Sequence, residues 1–269
     1  MGSGNRSWRW LRIAGLLAVV VLVGGYWLAQ RNRARPVSLD EARDRLPSST
    51  TAPPVDDTRP EAGVYEYQGT GIDRLSLPPL HQDQGPTIPG TVELLAGGCW
   101  RFRVDYSTNH WQSYEYCRTG LGVEERGAQT FQRWMIGAAP LDNTSRTDCD
   151  DGTMFLPTVR RADQSWEARC VVTNDTISGE TVSAGPYRFV GEEQVRVAGE
   201  PVDTLHFERV RVFSGGQVGT EVVDVWLHAA SGLPVRNERT IDVETSTPIG
   251  TSRYTESGEY VLQSLTPAG

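Results

Sequence analysis

Four histidines, His81, His110, His206 and His228, are the side chains best suited to proton transfer or metal binding in this chain. No two stand at the i, i+4 spacing that sets two imidazoles on one helix face. His206 and His228 could approach each other only across a hairpin. Nucleophilic catalysis needs a serine or cysteine held in a strained turn beside a base, and no Gly-x-Ser-x-Gly elbow occurs. Asp148-Cys149-Asp150-Asp151-Gly152 sets acids near a glycine. Counted back from Gly152, however, an EF-hand would need acids where Thr147 and Cys149 stand, so the run reads as a solvated turn. Gly97-Gly98 and Gly215-Gly216 are isolated pairs in turns and make no phosphate-binding loop. The expectation is therefore no catalytic residues, no metal ligands and no cofactor. A hydrolase using converging carboxylates remains a lesser alternative, because sequence alone does not bring acids together.

The chemistry the residues do support is thiol oxidation. Cys99, Cys117, Cys149 and Cys170 are even in number and contain no Cys-x-x-Cys pair, so zinc and thioredoxin-type sites lack their usual spacing. In Cys99–Cys117 (CWRFRVDYSTNHWQSYEYC) two aromatic and β-branched runs flank Ser107-Thr108-Asn109. A hairpin centred on Thr108 sets Cys99 opposite Cys117, Arg101 opposite Glu115, Arg103 opposite Ser113 and Asp105 opposite Trp111. Trp100, Phe102, Val104, Tyr106, Tyr114 and Tyr116 then share the other face. Alternation sends that aromatic face to the core and the charged face to water. Trp111, on the polar face beside Asp105, is a candidate contact for something outside. Cys149 and Cys170 remain to pair with each other, one of three possible connectivities.

Strand signals continue to the end. Val64–Gln68 and Ile72–Leu77 alternate, and a long loop with Pro78, Pro79, Pro86 and Pro89 follows. Thr130–Ile136 reads as strand, Asp142–Gly152 as polar loop, and Met154–Val159 with Ser165–Thr173 as a pair of strands. From Tyr187 to Ser264, six strand-like runs punctuated by Gly and Pro argue an antiparallel meander. A Ser214–Gly219 turn would set Arg209 opposite Asp224. It would place Val210, Val212, Val223, Val225 and Leu227 on one face, and Leu205, Phe207, Phe213 and Trp226 on the other. A sheet apolar on both sides is sandwiched or lines a cavity. That makes Leu205, Phe207, Phe213 and Trp226 candidate ligand or partner residues, with Trp111.

Ahead of the strands, Ile13–Ala29 is seventeen residues without charge, at the short end for a spanning helix, which needs about 20 residues and tolerates about 17. Trp8, Trp10, Tyr26 and Trp27 supply interfacial aromatics. A cleaved signal peptide is the competing reading, but Trp27 would sit at −3 of a cut after Ala29. No cysteine follows for a lipid anchor. Three arginines lie on each side, so the cysteines decide orientation: disulfides need an oxidising compartment. The expected organisation is a cytoplasmic tail (1–12), a transmembrane anchor (13–29), a juxtamembrane helix and tether (30–60) and an extracytoplasmic β domain (61–269). Ser38 with Glu41 forms a capping-box pattern for the short helix. Ser48–Pro60 is a polar, proline-bearing tether.

Charge is unevenly placed. Six arginines and no acid fall in the first 35 residues. The other 20 of the 26 arginines face all 34 acids over residues 36–269, a formal net of −14. Such a domain repels nucleic acid and anionic head groups.

Asp224-Val225-Trp226-Leu227-His228-Ala229-Ala230-Ser231-Gly232-Leu233-Pro234-Val235-Arg236 resembles the strand–turn–strand of bacterial extracytoplasmic sheet proteins of the LolA/LppX/RseB type. There a W-L-(polar)-x-x-(S/T)-G-L-P-x-R run joins adjacent strands of a large curved antiparallel sheet. The resemblance covers Tyr187–Leu265. It implies a half-barrel whose concave face shelters acyl chains or a partner peptide. Taken whole, the chain also resembles uncharacterised actinobacterial membrane-anchored proteins, which imply no activity. The expectation is a mainly β protein with an N-terminal transmembrane helix and a half-barrel-like sheet. It would bind a lipidic ligand or an envelope protein without catalysis. The alternative is a structural or assembly component of the envelope with no ligand cavity.

Overall fold

The computed structural model describes residues 23–24, 33–46, 59–137, 139–247 and 250–268. Most of the apolar run 13–29, the tail 1–12 and residues 47–58 of the tether lie outside the described residues. Among the described residues no helix is long and apolar enough to cross a membrane. The chain divides into two compact units. One comprises Ala34–Gln132 with Asn143–Gly269, the other Met1–Arg33 with Arg133–Asp142.

A five-residue helix, α1 (Leu39–Arg43), opens on the expected capping box. The Glu41 amide donates to Ser38 Oγ at 3.1 Å, and the Ser38 amide donates to the Glu41 carboxylate at 3.1 Å. Its Ala42 packs with Val37 and Val64 in a small cluster on the outside of the sheet.

Fourteen strands follow in one antiparallel sheet: β1 (Gly63–Leu75), β2 (Leu80–Gln84), β3 (Thr87–Leu94), β4 (Cys99–Ser107), β5 (His110–Thr119), β6 (Gly122–Ile136), β7 (Ala139–Cys149), β8 (Met154–Pro157), β9 (Ser165–Asn174), β10 (Thr181–Val197), β11 (Glu200–Gly215), β12 (Gln217–His228), β13 (Pro234–Thr247) and β14 (Gly250–Leu262). The order runs from β14 down to β9, then β7, β6, β5, β4, β3 and β1. β14 also pairs β1 from Tyr67↔Leu262 to Leu75↔Tyr254. The sheet therefore closes, where a half-barrel would leave two edges open. Closure satisfies backbone groups that an open edge exposes.

Several segments depart from expectation. The proline-rich stretch after Leu77 is mostly strand. β2 and β3 continue one pairing register along β1 on either side of Gly85-Pro86. Gly85 sits at φ +80°, and a Cβ there would fall 2.1 Å from the Gly69 carbonyl oxygen. The expected loop at Asp142–Gly152 is largely β7, paired with β9 from Ser145↔Asn174 to Cys149↔Cys170. Its side chains are exposed or half-buried throughout, so no alternation betrays it. β8 pairs β6 and does not pair β9.

The first hairpin keeps its expected register from Cys99↔Cys117 to Asp105↔Trp111, and a bulge then brings Ser107 opposite His110. Disulfides join Cys99 to Cys117 and Cys149 to Cys170. The β11–β12 hairpin is one residue tighter than expected, with Arg209 opposite Val223 and Asp224 opposite Glu208. A one-residue slip sends every side chain of a strand to the other face. Val223, Val225 and Leu227 thus join Leu205 and Phe207 inside. Val212 and Val222 are exposed.

Inside the closed sheet the β4–β6 wall meets β10–β14 directly. Tyr106 of β4 lies 6.2 Å from Tyr260 of β14, and Tyr187 of β10 donates to Glu125 of β6 at 2.6 Å. Tyr65, Tyr67, Trp100, Phe102, Leu205, Phe207, Leu227 and Leu262 fill the apolar part. Among the described residues, a void lined by Phe102, Tyr116, Phe155, Phe207 and Val225 among others is about 30 Å³. That is room for a water or two.

Candidate functional site

The interior holds a connected lattice of charges that no short motif announces. β1 supplies Asp73, β2 Gln84, β5 His110, β6 Glu125, β10 Tyr187, β11 Arg209 and Arg211, β12 Glu221, β13 Arg239, and β14 Tyr254 and Glu256. Each points inward because its strand alternates. Gly71 and Gly258, paired across β1 and β14, leave the space that the Gln84 side chain takes. A Cβ on them would lie 2.3 and 2.8 Å from Gln84 Oε1.

From this seat the Gln84 amide donates to Asp73 Oδ1 at 2.8 Å and Glu256 Oε1 at 3.2 Å. His110 Nδ1 bonds Asp73 Oδ2 at 2.9 Å, and the Tyr254 hydroxyl donates to Glu256 at 2.9 Å. Arg239 links Glu256 (3.3 Å) to Glu221 (2.9 Å). Arg209 joins Glu221 at 3.2 Å, and Arg211 joins Glu125 at 3.0 Å. Tyr187 binds both Glu125 and Arg211.

Burial alone would favour the neutral forms of Glu125 and Glu221. It pushes Glu221 up, but Arg209, Arg239 and Arg211 more than offset it and hold the carboxyl at about 2. Glu125 is likewise lowered, with Arg211 and Arg209 outweighing burial. Burial pushes His110 down, yet Asp73 and Glu256 outweigh it and raise its pKa. The lattice thus gathers four acids, Asp73, Glu125, Glu221 and Glu256, with three arginines and His110, whose protonated form Asp73 and Glu256 favour.

Asp73, His110 and Glu256 also offer three ligand atoms within 4.8 Å of one another, a spacing a divalent metal could use. The Gln84 amide nitrogen occupies the place a cation would take, at 2.8, 3.2 and 3.4 Å from atoms of the three residues. Arg239 already meets Glu256. The donor geometry fits a bound proton and an amide better than a metal.

The five residues singled out from sequence do not assemble. Leu205 and Phe207 are core. Phe213 is half-buried near the end of β11. Trp111 lies outside on β5, stacked on Phe131 with centroids 5.8 Å apart and Arg103 at 4.0 Å from its ring. Beside it, Asp105 is 1% exposed and takes Arg45 at 2.9 Å and Arg103 at 2.7 Å. Trp226 lies outside on β12, stacked at 4.1 Å on His206, its indole donating to Glu193 at 2.8 Å. His206 spans Glu193 (3.0 Å) and Asp224 (2.8 Å). Both ring nitrogens are thus engaged by carboxylates of neighbouring strands.

His228 Nδ1 lies 2.9 Å from Ser231 Oγ. That oxygen also accepts the Leu233 amide at 3.4 Å, and the backbone bonds between His228 and Leu233 close the same turn. The pair is a turn device, and among the described residues no carboxylate hydrogen bond orients this imidazole as a triad requires. The chain matches no family model, no curated protein and no solved structure.

Proposed function

We propose that this chain is a membrane-anchored extracytoplasmic protein whose β domain is a rigid, non-catalytic module that packs against an envelope protein partner. The filled interior carries this reading. An acyl chain needs a lumen, and the void found between the walls among the described residues is about 30 Å³. The lipid-sheltering role implied by the LolA-type resemblance therefore finds no support inside the sheet. Oxidised cysteine pairs on both sides of the β6–β7 region support an extracytoplasmic location. The outer face of β11 and β12 supports partner binding: Val212, Val218 and Val222 are 54, 60 and 38% exposed. An apolar patch rimmed by charge marks an interaction site more often than a bare surface.

The test places a photo-crosslinking amino acid at Val212 in the full chain in its native membrane. A discrete adduct, lost when Val222→Glu is added, is the expected result. Saturable binding of a fluorescent fatty acid by the purified protein, with no adduct from Val212, would replace this reading with the lipid-binding one.

A further inference from the structure

We infer that the outer face of β3–β6, where it meets the end of α1, is a binding site for a neutral saccharide ring. This site is separate from the partner surface on β11 and β12. The register sets Thr91, Arg103, Ser113 and Gln129 side by side across the four strands. Arg101 stands on one side of this row, and Asp105 with Trp111 on the other. These strands and the end of α1, from Ala42 to Leu46, together line a pocket of about 410 Å³. Small-molecule sites run from about 300 to 1,000 Å³.

One atom in the lining asks for a ligand. Asp105 is 1% exposed. Arg103, through Nε (3.1 Å) and Nη2 (2.7 Å), and Arg45 (2.9 Å) all converge on its Oδ1. Its Oδ2 is buried and has no hydrogen-bond partner among the described residues. A buried acceptor left without a donor is costly, and a donor from a ligand relieves that cost. The charges around it select the donor. Two guanidiniums on one carboxylate leave no net negative charge to attract an ammonium. An anion would meet Asp105 and Glu93, and Arg101 is already tied to Glu93 at 2.7 Å and to Glu115 at 3.5 Å. A neutral hydroxyl fits, because one oxygen can donate to Oδ2 and accept from a neighbouring guanidinium. The Thr91 and Ser113 hydroxyls and the Gln129 amide in the same lining both donate and accept. Trp111 adds an apolar wall, held between Phe131, stacked at 5.8 Å, and Arg103, 4.0 Å from its ring. An uncharged molecule with several hydroxyls and a C–H surface for an aromatic wall is a saccharide ring.

Full-length protein, kept free of glycoside detergents, is tested by saturation-transfer NMR with glucose and N-acetylglucosamine. Glucosamine and glucuronate serve as the cationic and anionic counterparts. The expected result is transfer to at least one neutral sugar, and severalfold less to the charged pair. Asp105→Asn removes the carboxylate, and Gln129→Ala alters the pocket while leaving every ion pair around it intact. Each variant, with an unchanged circular dichroism spectrum, is expected to weaken binding severalfold. Leu121→Ala, at an exposed position outside the pocket, is expected to bind as the unaltered chain does. No transfer to either neutral sugar from folded protein overturns the inference. Transfer undiminished in folded Gln129→Ala overturns it too, because the sugar then sits elsewhere. Stronger transfer to glucosamine or glucuronate overturns it in favour of a charged ligand.

Discussion

At the scale of the residue, His110 is the buried group whose protonated form the neighbouring carboxylates favour. Asp73, Glu125, Glu221 and Glu256 outnumber Arg209, Arg211 and Arg239 by one, and a buried charge left without a partner is costly. Gln84, Tyr106, Arg239 and the two carboxylates Asp73 and Glu256 all face or adjoin the imidazole. Its pKa in the folded state lies above the ordinary value of about 6.5, so its stabilisation is complete below that value and is lost as pH rises through the folded pKa. The carboxylates act with the opposite sign: Glu221, held at about 2, gives stability that is present above about 4.5 and fades only in strong acid. Denaturant unfolding from pH 5.5 to 9 is expected to show stability falling on the alkaline side. The His110→Gln variant should lose that slope and about 3–5 kcal/mol below it, the cost of orphaning a buried partner. An unchanged slope in the variant would assign the alkaline loss to another group. None of this was legible beforehand, because His110 sits in a turn-like NHW sequence and its neighbours come from five other strands.

At the scale of the element, the first hairpin is where sequence and structure agree best. Its facing pairs from Cys99–Cys117 to Asp105–Trp111 follow from alternation and a short turn, both local properties. A disulfide closing a loop of this length contributes about 3 kcal/mol through the unfolded chain. Replacing Cys99 and Cys117 together by serine should lower thermal stability by about that amount while leaving the strand signal in circular dichroism unchanged. A loss of the sheet signal would mean the bond specifies the fold. The β11–β12 hairpin shows the limit of the same reasoning. Two glycines at its tip, Gly215 with φ +103° and Gly216, permit a tighter connection than a Ser214–Gly219 turn. The slip moved Val223, Val225 and Leu227 onto the face of Leu205 and Phe207 and left Val210 and Val212 on the other. Phe207 and Val225 became a core pair, and Trp226 moved to the outer His206 cluster.

At the scale of the whole molecule, closure is the governing feature. β14 joins β1 across nearly the whole length of the chain that forms the sheet, so the last strand of the sheet in sequence pairs with the first. Edge strands fray at lower free energy than central ones. In a closed sheet β14 should behave as a central strand. Hydrogen exchange is expected to show amides of Glu256–Leu262 as slow as those of β4. Fast exchange confined to β14 would describe an open sheet in solution. Closure also presses the β4–β6 wall onto β10–β14, and that contact converts scattered acids and arginines into a lattice.

The sequence by itself determined what depends on neighbours along the chain. It gave the β class, the capping box at Ser38, both cysteine pairs, the first hairpin's register and the uncharged character of Ile13–Ala29 and of residues 134–141. The tertiary structure alone decided closure, the strand identity of β2 and β7, the β11–β12 register and the meeting of Asp73, His110 and Glu256. The reason is physical. Alternation and turn chemistry act over a few residues, and a strand exposed on both faces carries no alternation to read. Pairing between β1 and β14, or a bond from Arg211 to Glu125, rests on the burial of two walls against each other, and no local pattern encodes which walls will meet.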